Sequence, residues 1–241
     1  MPTLAGAYNN LKNRMMPQKQ GTCGLYSFWF ATILLSQCKP TARTIPYPRK
    51  STVTAGTGGE SMRHYAKNTL RSGQGEVLTC QEMEDIILHF GFQPLTHLGA
   101  SGREEFIARS LASNSPVMFP YMMGNSGPIS AIPANSNPGV DYGSHWSLIY
   151  DEVGQDYIYI EPNIPTTPER QLKKVVLDSN SFVDSYKYDR FWKKDTQSNV
   201  TPVKNKVLST MYGFGVTLGA KVYDIGTADR QNLKNVLIAV S

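Results

Sequence analysis

From Thr22 to about Gln37 the chain is apolar nearly all round the helical circle, with Leu25, Phe28, Trp29, Phe30, Ile33, Leu34 and Leu35 on every side. A helix with one apolar stripe can lie on a surface, but one that is apolar all round has to be enclosed. The segment therefore predicts a central helix with the rest of the fold wrapped around it. Its apolar stretch, Leu25 to Leu35, is shorter than the roughly 20 residues a membrane crossing needs, and it carries Ser27 and Thr32. The chain reads as soluble, with no membrane span. Cys23 stands at the first turn of this helix, either as a buried small hydrophobe or as a nucleophile held at a helix N-terminus.

The surrounding pattern is that of a mixed α+β protein. A chain of 241 residues with 40% hydrophobic content can bury a substantial core, and residues 1–241 read as a single domain without a linker or internal repeat. Fifteen prolines, 20 glycines and 13 tyrosines favour loops and strands over a helical bundle. "TCQEMEDIILHFGF" predicts a helix with Thr79 and Glu82 as capping box and Gly91 as its stop. Ser101 and Glu104 repeat the capping pattern before "FIARSLA". "PVMFPY" reads as a strand, placed at an edge or bulge by Pro120. A long loop at 123–144 follows, which has the character of a binding flap. "HWSLIYD" and "DYIYIEP" then form a hairpin about Gly154. Further strand-like segments lie at 171–177, 212–218 and 234–240, and residues 39–63 read as a surface excursion.

Charge and cysteine usage narrow the function classes. Net charge is +5, but the Lys and Arg residues are scattered, so no nucleic-acid partner is expected. Three cysteines, at 23, 38 and 80, make neither a CxxC pair nor a disulfide framework, which argues against a metal site and for a reducing compartment. The N-terminus has no apolar signal-peptide core, so the location expected is cytoplasmic, or export by a specialised route.

Context separates Cys23 from the other two. Free N–H groups and the helix dipole at its position favour a thiolate, and Gln18, Gln20 and Gly21 precede it. Cys80 also opens a helix but is followed by Glu82, Glu84 and Asp85, and Cys38 lies at the wrong end of its helix. A cysteine nucleophile needs a base. Of four histidines, His89 sits among apolar residues of a helix, while His64 and His97 lack a partner pattern. His145 opens a strand after the long loop. A hairpin turn near residues 153 and 154 sets His145 opposite Pro162, with Glu161 or Asn163 in reach to orient the imidazole. The parity of the two faces leaves both candidates open.

Together, "Gln18-x-x-x-Thr22-Cys23-Gly24-Leu25", "Gly143-Ser144-His145-Trp146" and the acidic residue before proline in "IYIEPN" resemble the papain-like cysteine peptidases. The likeness is to their leader-peptidase branch and to related bacterial effector proteases and deamidases, over the Cys segment and roughly residues 115–163. The resemblance implies a papain-like fold, in which a central helix carrying the cysteine packs on an antiparallel sheet carrying the histidine. It implies Cys23 as nucleophile, His145 as base, Glu161 or Asn163 as orienting residue, and Gln18 or Gln20 in the oxyanion hole. Glu161 stands where the family usually has Asp or Asn. The activity implied is cofactor-free hydrolysis of a protein or peptide substrate. A glutamine deamidase or transglutaminase on the same fold, and a catalytically inactive binding module using 184–195 as contact surface, remain as alternatives.

Overall fold

The computed structural model describes residues 2–16, 18, 22–39, 41–43, 45, 48, 61–70, 77, 79–124, 127–128, 142–163, 169–174, 177, 187–189, 222–224, 233 and 235–241. Its helices are α1 (Leu4–Leu11), α2 (Cys23–Cys38), α3 (Met62–Asn68), α4 (Cys80–His89) and α5 (Arg103–Ala112). Its strands are β1 (Pro94–Leu98), β2 (Val117–Gly124), β3 (Gly127–Pro128), β4 (Tyr142–Val153), β5 (Asp156–Ile160), β6 (Glu169–Lys173), β7 (Lys187–Asp189), β8 (Val222–Asp224) and β9 (Val236–Val240). The main sheet is antiparallel and runs β1-β9-β2-β4-β5-β6, with β3 added to β2; β7 and β8 pair separately. The class is α+β, as the sequence predicts.

Period-two alternation divides the strands between two cores. Met118, Trp146, Leu148, Tyr150, Ile158, Ile160 and Ile238 face a cluster with α1, α2 and α4. Their neighbours Val117, Phe119, Tyr121, Ile149, Tyr157, Tyr159 and Leu237 face a second cluster with Phe106 and Ile107 of α5. The central strands are thus apolar on both faces. The all-round apolar helix is α2, with Leu25, Phe28, Ala31, Leu34 and Leu35 wholly buried. Each such leucine or phenylalanine stabilises the fold by about 1.5–3 kcal/mol. Gly24 is required by close approach: a Cβ there would lie 3.0 Å from Val77 and Met83 side-chain atoms.

Local sequence signals hold at some element ends and fail at others. Thr79 Oγ1 accepts from Glu82 N at 3.1 Å, and Gly91 follows α4 with φ +81°. The cap expected at Ser101 is absent. The residue that caps α5 is Gly102, in the left-handed region at φ +76° with no side-chain bond, which leaves Ser101 one position too early. Pro120 does not mark an edge, since β2 lies between β9 and β4. It sits beyond the last β2–β9 pair, Met118↔Ile238, so its missing N–H breaks no bond of that ladder. The 234–240 segment contains β9, while the strand expected at 171–177 lies earlier, as β6, and shares only residues 171–173 with that segment. Segment 212–218, Gln20, and most of 39–63, 125–141 and 184–195 lie outside the described residues. Among those described, no helix is long and apolar enough to cross a membrane.

The predicted hairpin forms with its turn one residue later than expected, at Gly154 and Gln155, with Val153 paired to Asp156 and Gly154 at φ +60°. A bulge between Ile149 and Asp151 then shifts the register, and the last pair is Leu148↔Ile160. The expected juxtaposition of His145 with Pro162 is therefore not found. Beyond Ile160 the chain leaves the ladder in a turn at Pro162 and Asn163, where Pro162 O accepts from Gln18 N at 2.7 Å.

Candidate active site

Because β5 stops at Ile160, the near end of β4 has an open side, and the first turns of α2 dock there. Trp146 N donates to Cys23 Sγ at 3.4 Å, and Ser27 Oγ donates to Trp146 O at 3.0 Å. The Trp146 indole is buried on the α2 face, its Nε1 donating to Val77 O at 2.9 Å. One residue earlier, His145 points to the opposite face of the sheet. It meets Cys23 around the open side of the strand, where the two side chains hydrogen-bond. Cys23 is partly exposed, whereas Cys38 and Cys80 are buried.

His145 Nε2 bonds Glu161 Oε1 at 2.6 Å, which leaves Nδ1 for Cys23. Alternation along β5 puts Glu161 on the same face as Tyr157 and Tyr159, and that is the face His145 occupies. The sequence left Glu161 and Asn163 open, and the geometry separates them. Asn163 is exposed, and its contact with the site is its backbone N–H, donated to Glu161 Oε1 at 3.1 Å. It supports the carboxylate and does not itself hold the ring. The turn after Ile160 carries its side chain away, so the period-two argument that placed it beside Glu161 fails there.

Two further side chains, which no motif in the sequence marks as part of the site, surround Glu161. Tyr121 OH donates to Glu161 Oε2 at 2.5 Å, and Ser147 Oγ lies 3.4 Å from both the Tyr121 hydroxyl and Oε2. Tyr121 pairs with His145 across β2 and β4. Ser147, two residues after His145 in a strand, could have been named from the alternation alone.

No family model, curated protein or solved structure matches the chain. The site rests on its own geometry.

Its electrostatics follow from burial and from these contacts. Burial alone would lower the His145 pKa, but the Cys23 and Glu161 charges and hydrogen bonds on either side raise it from 6.5 to about 10. Burial would raise Glu161, yet the His145 and Tyr121 hydrogen bonds and the Asn163 N–H hold it below its ordinary 4.5. Tyr121 is pushed well above 10.0 by burial first and by Glu161 second, so it remains a neutral donor. The His145 contribution to stability is complete below about 6.5 and drains away as pH rises through about 10. The Glu161 contribution is present above 4.5 and is lost as pH falls below that value. Nitrogen-15 NMR of the His145 ring should show it protonated through neutral pH; a midpoint near the ordinary 6.5 would contradict the arrangement.

Gln18, one of the two glutamines read as oxyanion donors, is tied through its backbone to Pro162, next to Glu161. Two of the other three histidines pack elsewhere: His89 stacks on Tyr65 at 3.9 Å, and His97 lies against Phe106 at 5.3 Å.

Proposed function

We propose that the protein is a cysteine peptidase of papain-like type, acting on a protein or peptide substrate through Cys23, His145 and Glu161. The observation that supports this most is the unbroken sequence of contacts from Cys23 at a helix N-terminus through His145 to a buried carboxylate. In this reading the Cys23 thiolate attacks the scissile carbonyl carbon, and the carbonyl π electrons move to oxygen. The Cys23 N–H and the side-chain amide of Gln18 or Gln20 stabilise that oxyanion, each such donor contributing about 3 kcal/mol. The His145 imidazolium gives its proton to the leaving amine as the C–N bond breaks, leaving a thioester. Water, deprotonated by His145, then attacks the thioester and releases the acid and the Cys23 thiolate.

Glu161 fits the orienting role in this reading: one oxygen faces the His145 ring and the Asn163 N–H, and the other receives the Tyr121 hydroxyl.

Iodoacetamide at neutral pH tests the reading without a known substrate. Cys23 should alkylate much faster than Cys38 and Cys80, whose burial slows them; burial also raises the Cys38 thiol pKa. Equal, slow labelling of all three, read by peptide mass mapping, would remove the nucleophile from the proposal.

A further inference from the structure

We propose that Tyr121 is the positioning residue that sets the Glu161 carboxylate against His145, and that it is the reason a glutamate serves at this place in the site. The proposal rests on the reading of Cys23, His145 and Glu161 as a catalytic relay. Tyr121 touches neither substrate nor Cys23 in that relay; it acts through Glu161.

Three strands meet at this carboxylate. Glu161 follows the end of β5, His145 belongs to β4, and Tyr121 belongs to β2, the strand beyond. Oε1 serves the ring at 2.6 Å and the Asn163 N–H at 3.1 Å, while Oε2 receives the Tyr121 hydroxyl at 2.5 Å. The Glu161 carboxylate and the Tyr121 hydroxyl therefore meet over β4, the strand between their own, beside the register position of His145. An aspartate or asparagine, one methylene shorter, has too little length to keep both oxygens engaged.

Pinning both oxygens also sets the plane of the carboxylate, and so the angle at which Oε1 faces Nε2. The Tyr121 ring is itself immobilised. It is 1% exposed, lies edge-on to His145 with ring centres 5.5 Å apart, and stacks on Phe119 at 5.2 Å. Removing its hydroxyl leaves Oε2 with Ser147 alone at 3.4 Å, a poor contact for a charged oxygen in the interior. The carboxylate is then free to turn about its last torsion, and the imidazole loses its fixed partner.

The test is a double-mutant cycle read by iodoacetamide alkylation of Cys23 in the whole protein. Tyr121→Phe should slow alkylation roughly tenfold, because the rate follows the thiolate that the oriented imidazolium sustains. In a Glu161→Ala background the same substitution should add no further slowing, since the group through which it acts is gone. A Tyr121→Phe rate equal to wild type, or an equal slowing in both backgrounds, would overturn the proposal: a merely structural tyrosine gives the additive result. Should Tyr121→Phe fail to fold, the double variant Tyr121→Phe with Glu161→Gln supplies the second measurement. An amide is less demanding than a stranded carboxylate, so the melting temperature should recover; no recovery overturns the proposal. Failure of the underlying reading looks different, because wild-type Cys23 would then itself alkylate no faster than Cys38 and Cys80.

Discussion

Cys23→Ala is expected to lower peptide hydrolysis by about six orders of magnitude, to the level that binding and oxyanion donors sustain alone. The melting temperature should stay close to wild type. Cys23 is partly exposed, alanine is the best helix former, and the bonds given up are the long Trp146 N–H contact to sulfur and the contact with His145, whose ring keeps Glu161. A neutral hydrogen bond of this kind contributes about 1 kcal/mol, which in a chain of this length moves the melting temperature by roughly 2–4 °C. Cys38→Ala and Cys80→Ala should invert that pattern. Both side chains are buried, so stability falls while turnover per folded molecule persists. Release of new α-amino groups from a peptide library, followed beside calorimetry, checks all three. Release of ammonia without new amines would instead point to side-chain amide chemistry. Undiminished turnover by Cys23→Ala would end the proposal.

His145→Ala should cost turnover on nearly the same scale, and for a second reason it should also destabilise the fold. The ring is 4% exposed and faces Glu161, so its loss strands a buried carboxylate. Breaking a buried pair from one side typically costs about 3–5 kcal/mol. Here the Tyr121, Ser147 and Asn163 donors stay in place and bring the expected loss to the lower end. His145→Gln separates the two effects. Its amide N–H can still reach Glu161, so much of the stability returns. An amide can neither accept the thiol proton nor deliver one to a leaving amine, so turnover does not return. Thermal melts and initial rates on the two variants decide this. Recovery of turnover by His145→Gln would assign proton transfer to another group.

What the sequence revealed of this site follows the range of its signals. The buried helix was legible because its apolar residues are consecutive, and Cys23 stood out through its immediate neighbours. The hairpin that carries His145 and Glu161 was legible from Gly154, a local turn signal. Pairing was not, because the turn falls at Gly154 and Gln155, one residue later than expected, and the bulge between Ile149 and Asp151, which has no residue signature, takes back only part of that shift. Glu161 and Asn163 share one face of an extended strand, so they could not be told apart until the fold showed β5 ending at Ile160 and the chain turning at Pro162 and Asn163. Tyr121 was beyond reach for a stronger reason. It meets His145 through β2–β4 pairing across the long loop, and no short turn sets that register. The same holds for β9, which comes from the far end of the chain to lie between β1 and β2.

Pro162 gives the end of β5 a meaning. Carried two residues past Leu148↔Ile160, the register would set residue 162 against Trp146, at the next position where a ladder exchanges both backbone bonds. Trp146 has its N–H and C=O turned to that side, so strand and helix are rivals for the same two groups. A residue with an N–H at 162 could claim the Trp146 carbonyl and zip the hairpin further, evicting Ser27 and then Cys23 from the edge. Proline has nothing to donate there, so the contest is settled in favour of α2 before the chain has folded. The position of the nucleophile is in this sense decided by a bond that a neighbouring strand is unable to make.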